Sequence, residues 1–179
     1  GRLHQVHPDV RWLQRVRPGL AAATERTLAT LGDDGLAVCR DLSGDSGSHR
    51  WSSNAMDVVG FGHLDAYVNA WTYRALRNAM TLLGGADLAG RCRDAAERLR
   101  EAFPRCFLNP ATGWVAGWRS RDGELHDAAY LWVNGVAVAF GLLPEDAAAE
   151  ALRRLERLRV EVGAGDAHFG LPFNLRPIP

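Results

Sequence analysis

Two stretches of this chain, Asp65–Leu83 and Ala128–Leu142, have helical character and almost no charge, and they alternate with strongly amphipathic, arginine-rich stretches. A helix that is apolar all round belongs inside a protein, whereas one with a charged face belongs at its surface. The alternation predicts an all-α fold built of inner–outer α-hairpins. A polar, aromatic-laden loop precedes each inner stretch, Trp51–His63 before the first and Trp114–Asp127 before the second. Loops that precede inner helices fall at one end of such an arrangement, so Asp57, His63, His126 and Asp127 are expected to converge on one site.

With 179 residues, 47% of them hydrophobic, residues 1–179 can form a single domain with a real core. The formal net charge of zero gives no electrostatic reason to expect a nucleic-acid or anionic-membrane partner. Every basic residue is arginine, a bias that points to a GC-rich genome more than to chemistry. Cys39, Cys92 and Cys106 are odd in number and not closely paired, which does not make a disulfide framework. Neither C-x-x-C nor H-E-x-x-H spacing occurs, and His4, His7, His49 and His168 have no metal-like spacing, so no metal is expected. The glycine patterns of nucleotide sites are missing too, so no cofactor is expected. Reduced thiols without a visible leader pattern fit a cytoplasmic protein. The longest apolar run, Ala128–Leu143, falls short of the roughly 20 residues of a membrane span.

Along the chain, Val10, Leu13 and Val16 have helical spacing, and Pro18-Gly19 is expected to break that stretch before a short helix over Leu20–Leu31. Gly32 then suits a helix cap, and Gly84-Gly85 ends the first inner helix. Ala86–Phe103 reads as an outer helix with Leu88, Cys92, Ala95, Ala96, Leu99 and Phe103 on one face, closed by Pro104. Between the turns Asn109–Gly113 and Asp122-Gly123, Trp114–Arg121 is expected to form a small β-hairpin across the mouth of a cleft. Pro144, Glu145 and Asp146 start the last outer helix, whose inward face is Ala148, Ala151, Leu152, Leu155 and Leu158. The proline-bearing tail Phe169–Pro179 is not helical. The unit of outer helix, loop and inner helix thus appears about two and a half times.

The order of these signals resembles the six-hairpin, (α/α)6-toroid glycosidases: glucosidases and trehalases of that architecture, the toroid domain of bacterial α-L-rhamnosidases, and glycogen-debranching relatives. The residues that carry the resemblance are Gly32-Asp-Asp-Gly-Leu36, Ser53-Asn-Ala-Met-Asp57, Tyr67-Val-Asn-Ala-Trp-Thr-Tyr-Arg-Ala-Leu76, Leu83-Gly-Gly-Ala-Asp87, Phe107-Leu-Asn-Pro-Ala-Thr-Gly113 and Phe140-Gly-Leu-Leu-Pro-Glu145. It extends over roughly residues 8–179. The resemblance implies a partial (α/α)6 barrel with about three hairpins of six: a fragment of a longer toroid, a chain that self-associates through its open edges to complete a ring, or a degenerate homologue.

It also implies a carbohydrate partner and the inverting hydrolysis of an O-glycosidic bond in a small or terminal sugar. Such chemistry needs an acid for the leaving oxygen and a carboxylate to activate water, roughly 6.5–9.5 Å apart. Asp57, flanked by Met56 and Val58-Val59, is the candidate acid, since apolar neighbours raise a carboxyl pKa; capping a local turn is its alternative role. Asp127 is the candidate base, or else caps the second inner helix and leaves the base outside these residues. Trp51, Phe61, Trp114 and Trp118 are candidates for stacking on sugar rings. His63 and His126 are candidates for hydroxyl recognition or loop hydrogen bonding. Asn69 and Tyr73, polar on an inner helix, need a ligand or a neighbouring helix as partner. Arg119 and Arg121 either grip an acidic sugar or stay solvated. The competing functions are a non-catalytic carbohydrate-binding module and a helical scaffold, the latter requiring an exposed apolar patch.

Overall fold

The computed structural model describes residues 9–39, 61–83, 86–164 and 174–178. Within them five helices dominate: α1 (Val10–Ala29), α2 (Ala66–Leu83), α3 (Ala86–Phe107), α4 (Leu131–Ala139) and α5 (Glu145–Glu161). Three two-residue strands, β1 (Leu64–Asp65), β2 (Trp118–Arg119) and β3 (Leu125–His126), form one antiparallel sheet in that order. The chain is therefore mostly helical with a small sheet. None of the described helices is long and apolar enough to cross a membrane.

Helix α2 packs against α1, α3 and α4, and α4 against α5, which makes α2 and α4 the inner pair. The outer helices turn an apolar stripe inward and leave arginines and carboxylates in water, but in α5 that stripe is narrower than expected: Ala151 and Leu155 are buried while Leu152 is 47% exposed. The bidentate Arg91–Glu25 contact, with both distances 2.7 Å, ties α3 to α1 across that outer surface. The inner pair is less enclosed than a reading of uniform hydrophobicity predicts. Trp71 is 47% exposed, and Arg74, Ala75 and Arg77 on the same helix are exposed too.

Two prolines expected to interrupt helices do not. Pro18 lies inside α1 and Pro104 inside α3. Each removes one backbone hydrogen bond, but burial across the break holds the helix together. Phe103 and Phe107 flank Pro104, are both fully buried, and pack with ring centroids 4.9 Å apart. Around Pro18 the contacts are Leu13 on one side and Leu20, Ala21 and Leu28 on the other.

The second inner helix is shorter than expected, starting at Leu131 and not Ala128. Ala129 has φ +53°, Tyr130 is extended, and Tyr130 pairs with Asn174 of the tail. Leu175 N–H donates to the carbonyls of Ala128 and Ala129, and Arg176 N–H to that of Ala128. The tail thus takes the carbonyls that a longer helix would have used. The β-hairpin also differs from expectation: Asp122-Gly123 is its turn, β2 and β3 are its arms, and β1 is a third strand.

The two units repeat one another in detail. After α1 and after α3 a glycine with positive φ, Gly35 (+84°) or Gly113 (+77°), turns the chain against the next outer helix. There it abuts an arginine, Arg98 for Gly35 and Arg154 for Gly113, so a side chain is excluded by both conformation and space. Ala37 and Val115 then run under the inner helices. Two residues further on, Cys39 N–H donates to the His63 carbonyl and Gly117 N–H to the His126 carbonyl, each at 2.9 Å.

Candidate functional site

Strand β1 leads directly into α2, and β3 lies five residues before α4. Strand β2 joins them, with Trp118 opposite Asp65 on one side and His126 on the other. Gly117 O also accepts from Ala66 N, the first residue of α2, at 2.9 Å. Tyr67 and Trp132, the second residues of α2 and α4, meet edge to face with ring centroids 4.4 Å apart. Both inner helices therefore point their amino ends at the same sheet.

An aromatic cluster fills this end. Phe61 is fully buried, its ring 4.6 Å from Trp118, 5.1 Å from Tyr130 and 5.6 Å from Trp132. Trp118 stacks on the His126 imidazole, 4.4 Å away and only 8° from parallel. Gly117 makes the packing possible, since a Cβ there would stand 2.6 Å from the Tyr130 ring and 2.9 Å from that of Phe61. Burial, with the Asp127 charge adding to it, pushes the Tyr130 phenol well above its usual range and keeps it protonated.

The hairpin turn holds a second cluster. Ser120 Oγ lies 2.5 Å from Asp122 Oδ1 and 2.9 Å from His126 Nε2. The Ser120 hydroxyl, helped by the Glu124 backbone N–H, holds the Asp122 carboxyl below its ordinary range. Burial lowers the His126 pKa, and the charges of Glu124 and Asp122 act against that shift. Arg119 fastens the hairpin to the end of α3: Nε and Nη2 donate to Cys106 O at 3.2 and 2.9 Å, and Nη1 donates to Gly123 O at 2.7 Å.

Asp127 is surrounded by donors. Oδ2 accepts from Asn109 Nδ2 (2.8 Å) and Thr112 Oγ1 (2.9 Å), while Oδ1 accepts from Trp114 Nε1 (2.7 Å) and Ala129 N (2.9 Å). It is not the cap of α4, whose preceding residue Tyr130 makes no side-chain capping bond. It ties the Asn109–Gly113 turn to the approach of the inner helix. Asp65, fully buried, accepts from Tyr67 N and Val68 N and caps α2 directly.

The inner-helix asparagines are anchors. Asn69 accepts from Ala37 N (2.7 Å) and donates to Ala37 O (3.1 Å) and Asp65 O (2.9 Å). Asn134 does the same with Val115 N (2.8 Å), Val115 O (2.9 Å) and Tyr130 O (2.9 Å). In an amide, one acceptor and two donors are thereby engaged.

Of the residues singled out from the sequence, the sheet gathers Phe61, His63, Trp118 and His126 at the shared end. Trp114 is buried beside it, its ring under the Arg176 guanidinium at 4.9 Å. Asn69 and Asp127 are held by backbone and side chains of the chain itself. Tyr73 stands apart, two turns along α2, where its hydroxyl accepts from Arg77 Nη1 at 2.9 Å. Trp51 and Asp57 lie outside the described residues. Sequence reasoning passed over Ser120, Tyr130 and Gly117. The alternation of Ser120, Asp122, Glu124 and His126 about an Asp-Gly turn was the available signal for the second cluster.

No protein-family model matches the chain, and no curated protein matches it. A solved structure does: the GH78 family rhamnosidase of Bacillus sp. GL1 is similar with a TM-score of 0.62 over 80% of this chain, at 17% sequence identity. The likeness is one of fold. The matched region is 15% of that protein, so this chain spans a small part of the length of the structure it resembles.

Proposed function

We propose that this chain is part of an α/α-toroid glycoside hydrolase that cleaves an O-glycosidic bond of a small or terminal sugar with inversion. The observation that carries this reading is the three-stranded sheet, which gathers the approaches to both inner helices, and Phe61, Trp118 and His126 with them, at one end of a rhamnosidase-like fold. The similar structure is a rhamnosidase, which makes L-rhamnosides the first substrates to try. Asp57 is the proposed acid. Asp127, with four donors on two oxygens, is better suited to shaping the loop than to activating water, so the base is sought elsewhere.

The test is release of the aryl group from nitrophenyl glycosides by the polypeptide that the complete reading frame encodes, with product anomers followed by NMR. Asp57→Asn should lower kcat by about 10²–10⁴-fold. Equal rates for the two proteins would remove Asp57 from the mechanism, and product that retains its anomeric configuration would exclude the inverting route. A second reading, a helical scaffold module without turnover, is favoured by the burial of Phe61, Trp114 and Trp118, which leaves little ring surface to a sugar. No turnover and no calorimetric binding of any sugar would select it; sugar binding without turnover would select a carbohydrate-binding module instead.

A further inference from the structure

The cluster Asp122–Ser120–His126 has a consequence that follows from counting protons. A serine hydroxyl carries one hydrogen. Three acceptors lie around Ser120 Oγ: Asp122 Oδ1 at 2.5 Å, His126 Nε2 at 2.9 Å and Glu124 O at 3.3 Å. The carboxylate is nearest and charged, and charge-assisted hydrogen bonds are the shortest and strongest. The Ser120 proton therefore points to Asp122. His126 Nε2, 2.9 Å away, must then bring its own hydrogen. The imidazole is also held in plane by the Trp118 ring stacked 4.4 Å from it. Nδ1 has no hydrogen-bond partner among the described residues.

We propose that Asp122 and Ser120 are positioning residues that lock His126 as its Nε2–H tautomer, so that Nδ1 becomes the acceptor this end of the molecule offers to a ligand hydroxyl. Which ring nitrogen carries the proton is set by the bond that the other makes. Here a carboxylate acts through a hydroxyl, and Ser120, 1% exposed, is itself shielded from any ligand. The ligand half of the statement rests on the carbohydrate reading above; the tautomer half does not.

Histidine-labelled protein examined by ¹⁵N NMR above the His126 pKa separates the two. The wild type should show the Nε2–H form. Asp122→Ala frees the serine proton, which then turns to Nε2, and His126 should switch to the Nδ1–H form. Asp122→Asn keeps an acceptor oxygen and should restore the wild-type tautomer. Both substitutions are at an exposed turn position, and the dispersion of the remaining spectrum reports that the fold is intact. An Nδ1–H wild type, or an Asp122→Ala protein with unchanged tautomer, overturns the relay. Titration with L-rhamnose and related monosaccharides then tests the ligand half: binding should weaken about tenfold in Asp122→Ala and recover in Asp122→Asn. Equal binding in all three proteins overturns the acceptor role. A correct tautomer pattern with no binding of any sugar supports the relay and counts against the carbohydrate reading.

Discussion

The first and second hairpin units use the same parts at different spacings. His63, Asp65 and Asn69 of one correspond to His126, Asp127 and Asn134 of the other. The asparagines act identically, each pinning one loop residue by both its N–H and its C=O and bonding the carbonyl four residues back. The aspartates do not. Asp65 sits one residue before its helix and caps it, whereas Asp127 stands four residues before α4 and collects donors from the Asn109–Trp114 segment. The difference teaches that the anchor between loop and inner helix belongs to the scaffold. The segment just before the helix is where a unit can be rebuilt. In the second unit the rebuilding admits Gly117, Tyr130 and the hairpin bearing His126.

The largest effects should come from the shared anchor. Asn69→Ala and Asn134→Ala each strand a buried N–H and a buried C=O, and an unsatisfied buried group costs about 1–3 kcal/mol. Each variant should therefore lose about 2–4 kcal/mol in urea unfolding. Comparable losses sustain the equivalence of the two units; a near-neutral Asn69→Ala beside a crippled Asn134→Ala breaks it. Next is Gly117→Ala. A methyl group 2.6 Å from the Tyr130 ring must displace it, and overpacking of this kind costs about 1–3 kcal/mol. The corresponding Cys39→Ala, at a half-buried position, removes an atom and adds none, so it should cost less than Gly117→Ala.

The aspartates sharpen the contrast further. Asparagine caps helices as well as aspartate does, so Asp65→Asn should keep the bonds from Tyr67 N and Val68 N and cost less than Asp127→Asn. Asp127→Asn places an NH₂ group where side-chain and backbone N–H groups already point, and loses charge-assisted bonds. A loss of about 1.5–3 kcal/mol is expected. Equal thermal midpoints for the two variants would mean that Asp127 is only another cap.

Much of the fold is legible along the chain. The outer helices follow from their apolar stripes, and α2 begins within a residue of its expected start. The anchor was also written there, as Tyr67-Val-Asn-Ala and Trp132-Val-Asn-Gly, but helical periodicity shows only that a polar residue faces inward. Its partners lie 32 and 19 residues away, and only the folded chain brings them near. The same holds for the prolines: Pro104 breaks a helix by local rules, and Phe103 and Phe107 outweigh those rules through burial. Residues 128–130 read as helix because nothing local says that Leu175 and Arg176 will claim their carbonyls. At the candidate site, the convergence of the two loop ends was legible. The burial of Trp114 and Trp118 was not, because an aromatic residue in a polar loop looks the same whether its ring faces a ligand or a neighbouring helix.

The smallest expected effect compares His126 with its absence. Burial lowers its pKa in the folded protein, and Asp122 and Glu124 in the turn partly oppose this, while Trp118 covers one ring face. The unfolded chain, with an ordinary histidine pKa of about 6.5, then binds the proton more readily than the folded one. Stability must rise with pH wherever the unfolded state holds more protons. The contribution of neutral His126 is thus fully present above the unfolded pKa and fades as pH falls through the lowered folded one. Between pH 7.5 and 5 the wild type should lose more stability than His126→Gln in parallel denaturant titrations. If the two lose the same amount, the imidazole is as well hydrated in the hairpin as in the unfolded chain. The stacked Trp118–His126 pair would then be a surface ornament of the second unit and not part of its core.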